Sequence, residues 1–464
     1  MNIFDTIAAI ATPIGSGGVA IIRVSGEAAE SAAQAVVSLR NGKTLAEAES
    51  HRLYLADIHK TENTDAILDE ALVSVMRAPR SYTGETVVEI NCHGGYFAAD
   101  SILKEILSSG ARLAEAGEFT RRAFVNGKTD MIGAEAVMDI IDADSRLGLA
   151  NAAKSLGGGL SDKINAARDT ILEITANISA AADYPDEVEP LSKEEVSERI
   201  NHALDEINKL IDGFETGRIL RDGIAAVITG KPNAGKSSLL NAITRSDRAI
   251  VTDIPGTTRD TIEERVNIKG AAMRLLDTAG IRAETDDKIE QIGIERALSG
   301  IEEADLCIFV ADSSRDLTDE DYRIIEAIRG KNAICALNKT DKETVLTADI
   351  IAKKTGLSLD DIVETAAPEG GKAIGVEALE ERIAEKFALG DISSGDVYIS
   401  NVRQRDSLVR ARESLVLALE GTDMPFDLLY VDLEDALSAL GEVTGQTVQE
   451  EIIDRVFSRF CVGK

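Results

Sequence analysis

The sequence predicts a multidomain α/β protein. We expect a doubly wound α/β domain inserted into an all-helical domain, with an α+β domain before them. Strand-like runs and two helical patterns alternate early in the chain, and helical segments flank a central Gly-rich loop that joins a strand to a helix. The expected domains are an α+β domain over residues 1–120, a helical domain over residues 121–220 and 385–464, and the inserted domain over residues 221–384.

Composition narrows the class of protein. The chain has 464 residues, of which 44% are hydrophobic and 28% charged, which is enough for about three domains. A formal net charge of −31 argues against a generally basic nucleic-acid binder, so we expect any RNA contact to be local or shared with a partner. No apolar run approaches the roughly 20 residues of a membrane span, and we expect a soluble, cytoplasmic protein.

The four cysteines are scattered and show neither zinc spacing nor a disulfide framework. Cys307 and Cys335 lie inside apolar runs, where we expect core residues. Cys92 lies beside His93, which we interpret as a hydrogen-bonded turn histidine rather than a metal ligand. Cys461 is compatible with two roles, a small apolar residue at a helix end or a functional thiol.

The central loop, residues 230–237, fits the phosphate-loop pattern G-x-x-x-x-G-K-S/T and follows the apolar run 224–228. A strand that feeds such a turn into a helix brings backbone N–H groups and a helix N-terminus around one anion. Lys236 would supply positive charge for the β- and γ-phosphates, and the Ser237 hydroxyl is placed to bind Mg²⁺. The plain alternative is a Gly-rich turn with a surface lysine.

Three further motifs follow in the order that a GTPase requires. Residues 277–280 (Asp-Thr-Ala-Gly) end an apolar run, so Asp277 is expected to hold Mg²⁺ through water. Residues 338–341 (Asn-Lys-Thr-Asp) follow another strand-like run, and Asp341 can accept two hydrogen bonds that guanine offers and adenine does not. Thr257 and Thr258 supply hydroxyls for a switch loop, unless that stretch is only an exposed polar turn. The expected nucleotide is GTP.

The flanking segments predict the rest of the fold. We expect strands over residues 19–24, 53–58, 71–76 and 86–90, helices over residues 27–39 and 97–107, and one long helix whose apolar face is Val196, Ile200, Leu204, Ile207, Ile211 and Phe214. The acidic residues between 186 and 195 suit the positive end of that helix better than a metal. Helical periodicity returns over residues 402–460, and the two helical blocks need each other's apolar faces.

The stretch Phe460-Cys461-Val462-Gly463-Lys464 resembles the tail of bacterial tRNA-modification GTPases of the MnmE (TrmE) family, whose chains end in Cys-aliphatic-Gly-Lys. The resemblance extends through residues 17–26, 81–85, 92–95 and 118–128, and it covers essentially the whole chain. On this pattern the expected GTP contacts are Asn233, Ala234, Gly235, Lys236, Ser237, Ser238, Thr252, Asp253, Ile254, Pro255, Gly256, Thr257, Thr258, Asp277, Thr278, Ala279, Gly280, Asn338, Lys339, Thr340 and Asp341, with Ser237 and Thr258 as Mg²⁺ ligands.

The resemblance implies an enzyme that works with a flavin-dependent partner, MnmG (GidA), on carbon 5 of the wobble uridine of certain tRNAs. The group added would be aminomethyl or carboxymethylaminomethyl, with a tetrahydrofolate derivative (5-formyl or 5,10-methylene) as the one-carbon source. The amino-terminal domain would bind this folate and form the homodimer. The implied folate contacts are Arg23, Glu85, Lys128 and Lys464, and Cys461 would be a catalytic thiol near them.

The GTPase motifs depart from the Ras type, because Ile281 stands where Ras-type proteins have a water-orienting Gln. The resemblance implies that K⁺ held by Asn233, Thr252, Ile254 and Thr257 assists hydrolysis when two GTPase domains meet. It assigns the orientation of water to Glu290, although one extra residue separates Glu290 from Gly280. Thr365-Ala366-Ala367 replaces the usual Ser-Ala-Lys, and we expect the Ala366 N–H still to read guanine.

A regulatory GTPase of the ribosome-assembly kind, without modification chemistry, is the alternative function. It accounts for the phosphate loop and the guanine motif equally well, but it leaves residues 461–464 and the folate-like charges unexplained. A switch that binds RNA would also be expected to carry a basic appended domain, whereas these flanks are acidic and helical.

Overall fold

The computed structural model describes residues 5–13, 15–246, 264–276, 300–368, 373–392, 396–422 and 426–464. The chain divides into two compact units. The first consists of Met1–Met138, Ser155–Ile207 and Ser407–Lys464, and the second of Asp139–Lys154 and Asn208–Asp406. None of the described helices is both long and apolar enough to cross a membrane.

The first unit contains a seven-stranded sheet, against which two helices pack. Its order is β3-β4-β5-β6-β2-β1-β7, and every neighbouring pair is antiparallel except β1 with β7. The elements are β1 (Ile7–Ile10), β2 (Val19–Ser25), α1 (Ala29–Gln34), β3 (Val37–Leu39), a 3-10 turn (Leu45–Glu47), β4 (Leu53–Lys60), β5 (Asn63–Met76), β6 (Val87–His93), α2 (Tyr96–Ser108) and β7 (Arg112–Leu113). Ile22, Ile58 and Ile90 from the sheet and Ile102 and Ile106 from α2 share one buried core.

Four of these strands match the predicted ones, but the helix predicted over residues 27–39 is wrong in its second half. Helix α1 ends at Gln34, and Val37 pairs with Ile58 of β4 as part of β3. Val36 and Val37 are β-branched and fully buried. Such side chains pack well on a pleated sheet, and pairing with β4 supplies the backbone hydrogen bonds that a longer helix would have made.

Helices form the rest of the first unit, and some of them continue into the second. They are α3 (Glu118–Val125), α4 (Met131–Ile141), α5 (Arg146–Leu156), α6 (Gly159–Asp183), α7 (Lys193–Asp212), α13 (Val402–Glu420), α14 (Phe426–Thr444) and α15 (Glu450–Phe457). Helix α6 packs along α14, and α15 packs on α3. The Phe124 and Phe457 rings lie 6.2 Å apart at the latter contact, and Arg121 pairs with Asp454 at 2.9 Å. Segments from both ends of the sequence therefore share one core.

The apolar face predicted for the long helix is buried at Val196, Ile200, Leu204 and Ile207. The single helix is wrong, however, because α7 ends at Asp212 and Phe214 begins the next helix, α8 (Phe214–Asp222). Gly213 separates them and lies against the Tyr398 ring, where an added Cβ would come within 3.0 Å of Cδ1. Glycine has a low helix propensity, which favours a break here, and a side chain at this position would require the Tyr398 ring to shift.

The second unit contains a doubly wound sheet of six strands in the order β13-β12-β11-β8-β10-β9, parallel except for β9 with β10. Its remaining elements are β8 (Ile224–Thr229), α9 (Lys236–Ser246), β9 (Glu264–Ile268), β10 (Ala271–Leu275), β11 (Leu306–Asp312), α10 (Asp319–Ile328), β12 (Ala333–Asn338), α11 (Ala348–Thr355), a 3-10 turn (Leu359–Asp361), β13 (Ile362–Glu364), α12 (Val376–Lys386) and another 3-10 turn (Leu389–Asp391).

Adjacent residues of the central strands point into different cores. Val310 belongs to the core that contains Leu379 of α12, whereas Phe309 belongs to the one that contains Ile325 of α10. Strands buried on both faces are continuous apolar runs, and β8, β11 and β12 are buried at every position. Cys307 and Cys335 lie in these strands as predicted, and burial raises the pKa of Cys307 to about 11.

Helix α8 approaches the segment before α13 too closely for any side chain. A Cβ added to Gly217 would lie 2.0 Å from the Ile399 carbonyl oxygen. Nearby, Asn151 of α5 donates to the Tyr398 carbonyl at 3.1 Å and accepts from the Tyr398 N–H at 2.9 Å. The segment is therefore held by hydrogen bonds and cannot easily move away from α8.

We expect Gly217→Ala to lower the free energy of unfolding by about 1–3 kcal/mol, because the methyl group overpacks this contact. In an open helix the same change would stabilise by about 1 kcal/mol, so the sign is diagnostic. Thermal unfolding followed by circular dichroism measures the effect. Gly390→Ala is the control, since a Cβ there meets nothing within 4 Å. An unchanged midpoint of thermal unfolding for Gly217→Ala would show that the segment around Ile399 can shift to make room for the methyl group.

Candidate functional site

The phosphate loop follows β8 at the carboxyl edge of the six-stranded sheet. Strand β8 ends at Thr229, and α9 begins at Lys236. The neighbouring strand β11 and the next one, β12, run parallel to β8, so their ends at Asp312 and Asn338 meet at the same edge. In open α/β sheets, ligands bind in the crevice outside these carboxyl ends.

Glycines of the loop permit two close approaches. Gly230 has φ of +152°, and a Cβ there would lie 2.4 Å from the Val310 carbonyl. Gly235 has φ of +101°, and a Cβ there would lie 2.1 Å from the Asn338 amide nitrogen. Asn233 between them is also left-handed, with φ of 61°. The sequence pattern thus describes a backbone that only glycine allows at residues 230 and 235.

Asn338 ties the loop to two neighbouring strand ends. Its side-chain nitrogen donates to the Ala234 carbonyl at 2.9 Å, and its side-chain oxygen accepts from the Thr365 hydroxyl at 3.3 Å. Thr340 then donates through its N–H and its hydroxyl to the Thr365 carbonyl, at 3.2 and 3.1 Å. Asp341 follows on the surface and is exposed. The guanine motif is therefore built onto the phosphate loop.

Lys339 makes the second connection between the guanine motif and the loop. Its ammonium group donates to the Asn233 carbonyl at 2.5 Å and pairs with Asp312 at 2.8 Å. Asp312 also accepts from Arg315 Nε at 2.7 Å and from the Ser314 hydroxyl at 2.7 Å. Burial alone would raise the pKa of Asp312, but these hydrogen bonds hold it well below its usual range.

Sequence reasoning missed Asp312. The available signal was a lone carboxylate that closes an otherwise apolar strand, Leu306–Asp312, at the edge where the motifs meet. A buried acid in that position needs a cation, and the lysine of the guanine motif provides it.

The residues expected at the phosphates lie at the start of α9. Lys236 is half-buried and donates to the Lys231 carbonyl at 3.0 Å, and Ser237 and Ser238 are half-buried in the first turn. Other expected residues lie outside the part of the chain that the structure describes. They are Thr252, Asp253, Ile254, Pro255, Gly256, Thr257, Thr258, Asp277, Thr278, Ala279, Gly280 and Glu290.

The N–H expected to read guanine already has a backbone partner in this structure. The Ala366 N–H donates to the Ile374 carbonyl at 3.1 Å, and the Ile374 N–H donates back to the Ala366 carbonyl at 2.8 Å. These two bonds form an isolated β-bridge. The N–H that was expected to read the base is therefore committed to the backbone.

The residues expected at the folate lie in the first unit. Arg23 donates to the Gly463 carbonyl at 3.4 Å, and Phe119 N–H donates to the Lys464 carbonyl at 3.1 Å. Gly463 has φ of +100°, and a Cβ there would lie 2.3 Å from the Ile10 carbonyl. These contacts bring residues from near both ends of the sequence to one place, and Cys461 is exposed beside them.

Glu85 and Lys128 belong to the same neighbourhood, through the loop 79–85. The Arg23 guanidinium carbon lies 5.1 Å from the Tyr82 ring centre. Lys128 donates to the Pro79 carbonyl at 3.2 Å. Glu85 accepts from the Ser25 hydroxyl at 2.7 Å and pairs with buried Arg122 at 3.1 Å. Sequence reasoning missed Arg122, whose neighbours Asp5 and Glu118 also pair with it.

Two smaller interpretations can be compared with the structure. His93 is hydrogen-bonded to Asp69 at 2.7 Å as expected, and this bond raises the pKa of His93, but the residue ends strand β6 and does not lie in a turn. Glu194 and Glu195 lie in the first turn of α7, where Glu195 accepts from the Ser192 hydroxyl at 2.8 Å. That contact is a helix cap, as expected for acidic residues near a helix N-terminus.

The phosphate loop between a parallel strand and a helix, joined by side chains to an Asn-Lys-x-Asp motif, defines a P-loop GTPase domain. Two family models match the chain, the MnmE helical domain over residues 131–461 and the GTP-binding protein TrmE N-terminus over residues 6–128. The chain belongs to the MnmE (TrmE) family.

Curated relatives are similar over the full length. The tRNA modification GTPase MnmE of Clostridioides difficile is 44% identical over 469 residues, covering 100% of both chains. The protein of the same name from Bacillus velezensis is 44% identical over 465 residues, covering 99% of this chain and 100% of its own. Among solved structures, the G domain of the T. maritima FeoB iron transporter is 27% identical and covers 35% of this chain and 98% of that domain, with a TM-score of 0.25.

We expect Asp312→Asn to weaken nucleotide binding by about tenfold, because a hydrogen bond to a charged group is worth about 1.5–3 kcal/mol and the neutral amide cannot form the ion pair with Lys339. Titration with a fluorescent GDP analogue measures the affinity. Asp316→Asn removes the same charge from an exposed neighbour and should change little. Equal losses in both variants would instead indicate a general effect of charge.

Proposed function

We propose that this protein is a tRNA modification GTPase. The observation that carries the proposal is the phosphate loop held to the guanine motif by Asn338 and Lys339. Full-length relatives are named tRNA modification GTPase MnmE. GTP would bind at the carboxyl edge of the six-stranded sheet, with its phosphates at the start of α9 and its base near Asp341. Because its substrate is tRNA, we also propose that the protein acts in the cytoplasm.

Lys236 is proposed to contact the β- and γ-phosphates. Its ammonium group already lies within the loop, bonded to the Lys231 carbonyl. Ser237 follows it in the first turn of α9 and, with Thr258, would hold Mg²⁺, which neutralises charge on the phosphates when bound. The remaining proposed GTP contacts are those expected from the motifs, including Asp277 to Gly280.

Asn233 is proposed to hold K⁺ together with Thr252, Ile254 and Thr257. Its backbone carbonyl accepts from Lys339, so the side-chain amide oxygen is the group we assign to the ion. A bound cation supplies positive charge near the transferring phosphoryl oxygens. Glu290 would orient the attacking water, in place of the Gln that Ras-type proteins have where this chain has Ile281. Contact between the GTPase domains of a homodimer would complete this arrangement.

If K⁺ has this role, hydrolysis in potassium buffer should be about tenfold faster than in sodium buffer of equal ionic strength, or about 1.4 kcal/mol in barrier height. Steady-state phosphate release measures the rates. Asn233→Ala should remove the difference while leaving affinity for a fluorescent GDP analogue nearly intact. Equal rates in the two buffers for the unaltered protein would contradict the role of K⁺.

The amino-terminal site is proposed to bind a tetrahydrofolate derivative through Arg23, Glu85, Lys128 and Lys464. Arg and Lys suit the carboxylates of a folate glutamate tail, and a carboxylate suits the N–H edge of a pterin. Ser25 and Arg122 orient Glu85, which fits a site that must present one carboxylate in a fixed direction. The folate would supply the one-carbon unit.

Cys461 is proposed as a thiol used in the modification, with MnmG (GidA) as the flavin-dependent partner. It is exposed and lies two residues before Gly463, whose carbonyl accepts from Arg23. A thiol in this place is accessible and close to the proposed folate contacts. The group added to carbon 5 of the wobble uridine would be aminomethyl or carboxymethylaminomethyl.

The domain division expected from the sequence remains our proposal. It places the folate and dimerisation functions in residues 1–120 and inserts the GTPase domain, residues 221–384, into a helical domain formed by residues 121–220 and 385–464. The packing of α6 on α14 supports the joining of the two helical blocks, because one helix comes from each.

We expect Cys461→Ser to keep near-normal folding and GTP hydrolysis but to lose tRNA modification, since a hydroxyl is a far poorer nucleophile than a thiolate. The assay supplies the flavin partner, folate and tRNA, and mass spectrometry measures modified wobble uridine. Lys236→Ala should lose hydrolysis and modification together. Modification by Cys461→Ser at the unaltered rate would restrict the cysteine to packing. Without any modification by the unaltered protein, a regulatory GTPase would be the better description.

A further inference from the structure

A buried ion pair joins the phosphate loop to helix α10. Lys231 Nζ lies 2.9 Å from Asp321 Oδ2, and the two side chains are only 7% and 1% exposed. They are 90 residues apart in sequence. Lys231 occupies a variable position of the phosphate-loop pattern, and Asp321 lies outside the motifs described above.

Asp321 has a second task at the start of α10. The same oxygen, Oδ2, accepts from the Thr318 N–H at 2.9 Å and from the Thr318 hydroxyl at 2.8 Å, which caps the helix. The other oxygen, Oδ1, is buried and has no hydrogen-bond partner among the described residues. Oδ2 therefore makes all the hydrogen bonds of this carboxylate that are described, including the one to Lys231.

The backbone carbonyl of Lys231 accepts hydrogen bonds from other residues of the phosphate loop. It accepts from Lys236 Nζ at 3.0 Å and from the Ala234 N–H at 3.3 Å. Lys231 is thus fixed at its side chain by α10 while its carbonyl holds the lysine expected at the phosphates. Movement of residue 231 would move the anchor of Lys236.

We propose that Lys231 and Asp321 are a positioning pair that sets the place of Lys236 for the nucleotide phosphates. The proposal deepens the GTPase function and rests on the binding of GTP at this loop. A buried ion pair is a costly way to add stability, because desolvation offsets the attraction, and neutral replacements of both partners are often tolerated. A charge-assisted hydrogen bond is stronger and shorter than a neutral one, so the ion pair fixes the position of Lys231 more firmly than a neutral pair would.

A single and a double variant can distinguish an effect on the stability of the fold from an effect on the position of Lys236. Lys231→Met leaves the buried carboxylate without its cation, so both stability and binding should fall. Lys231→Met with Asp321→Asn removes both charges, while the Asn oxygen can still accept from the Thr318 N–H. The double variant should regain much of the stability, but it should keep the weakened binding because no charged anchor remains.

The test uses the full-length protein with a fluorescent GDP analogue, alongside thermal unfolding. Lys231→Met and the double variant should each raise the dissociation constant by about tenfold or more, and Lys231→Arg should restore binding to within about threefold. GMP lacks the β-phosphate. Its dissociation constant, obtained by competition and corrected for each variant's affinity for the analogue, should therefore be the same in all variants. A loss confined to nucleotides with a β-phosphate identifies Lys236 as the group displaced.

Lys386→Met is the matched control. Lys386 also pairs with a buried aspartate at a helical turn, since it lies 2.7 Å from Asp361, which accepts from the Ser358 hydroxyl and also pairs with Arg382 at 3.0 Å. Asp361 directly precedes β13, so the pair lies at the end of that strand opposite to the guanine motif. Its loss should lower the unfolding temperature without changing affinity for the GDP analogue.

Three outcomes would overturn the proposal. One is unchanged affinity in folded Lys231→Met, and another is a double variant whose affinity recovers together with its stability. The third is an equal loss of GMP binding, which would indicate a general collapse of the site. Failure of the unaltered protein to bind the GDP analogue at all would overturn the proposed function as well, and so is distinguishable from these.

Discussion

The hydrogen bond from the Asn338 amide to the Ala234 carbonyl is the contact on which the nucleotide site depends. It joins the end of β12 to the phosphate loop at 2.9 Å, and it requires Gly235, because any Cβ there would collide with the amide. The bond is buried, so water cannot replace it at low cost. Since Thr365 holds the same side chain, the loop, the guanine motif and the end of β13 are aligned as one assembly.

Charge in this acidic protein is organised locally. In the first unit, Asp5, Glu85 and Glu118 surround Arg122, and Arg112 pairs with Asp5 and Glu118. Burial would raise the pKa of Glu118, but hydrogen bonds from Arg112 and Arg122 lower it. Alternating charges of this kind fix the directions of side chains even where the net gain in stability is small. The overall charge therefore says little about either site.

The sequence predicted what depends on short spacing. The phosphate loop, the Asn-Lys-x-Asp motif and the buried strands β8, β11 and β12 all follow from residue types at fixed separations. The place of Asp312 at the end of an apolar strand is visible in the sequence, but its pairing with Lys339 is not. Arg122 and the Lys231–Asp321 pair could not be found this way either, because the partners become neighbours only once the fold is known. The error at β3 has a similar origin: Val37 forms a strand because β4 lies beside it, and its own segment gives no sign of that partner.

The contact of Arg23 with the Gly463 carbonyl spans 440 residues of sequence, and this has a consequence for folding. The entropic cost of closing a loop grows only logarithmically with loop length, so the long separation adds little to the free-energy cost of this contact. Its rate of formation is another matter, since long-range contacts must wait for the chain between them to become compact. Strands β3, β4, β5 and β6 follow one another in sequence and can pair early, whereas the surface that includes Arg23, Phe119 and Lys464 needs segments from both ends of the chain. A chain whose second unit folds slowly would therefore show an ordered sheet before that surface exists.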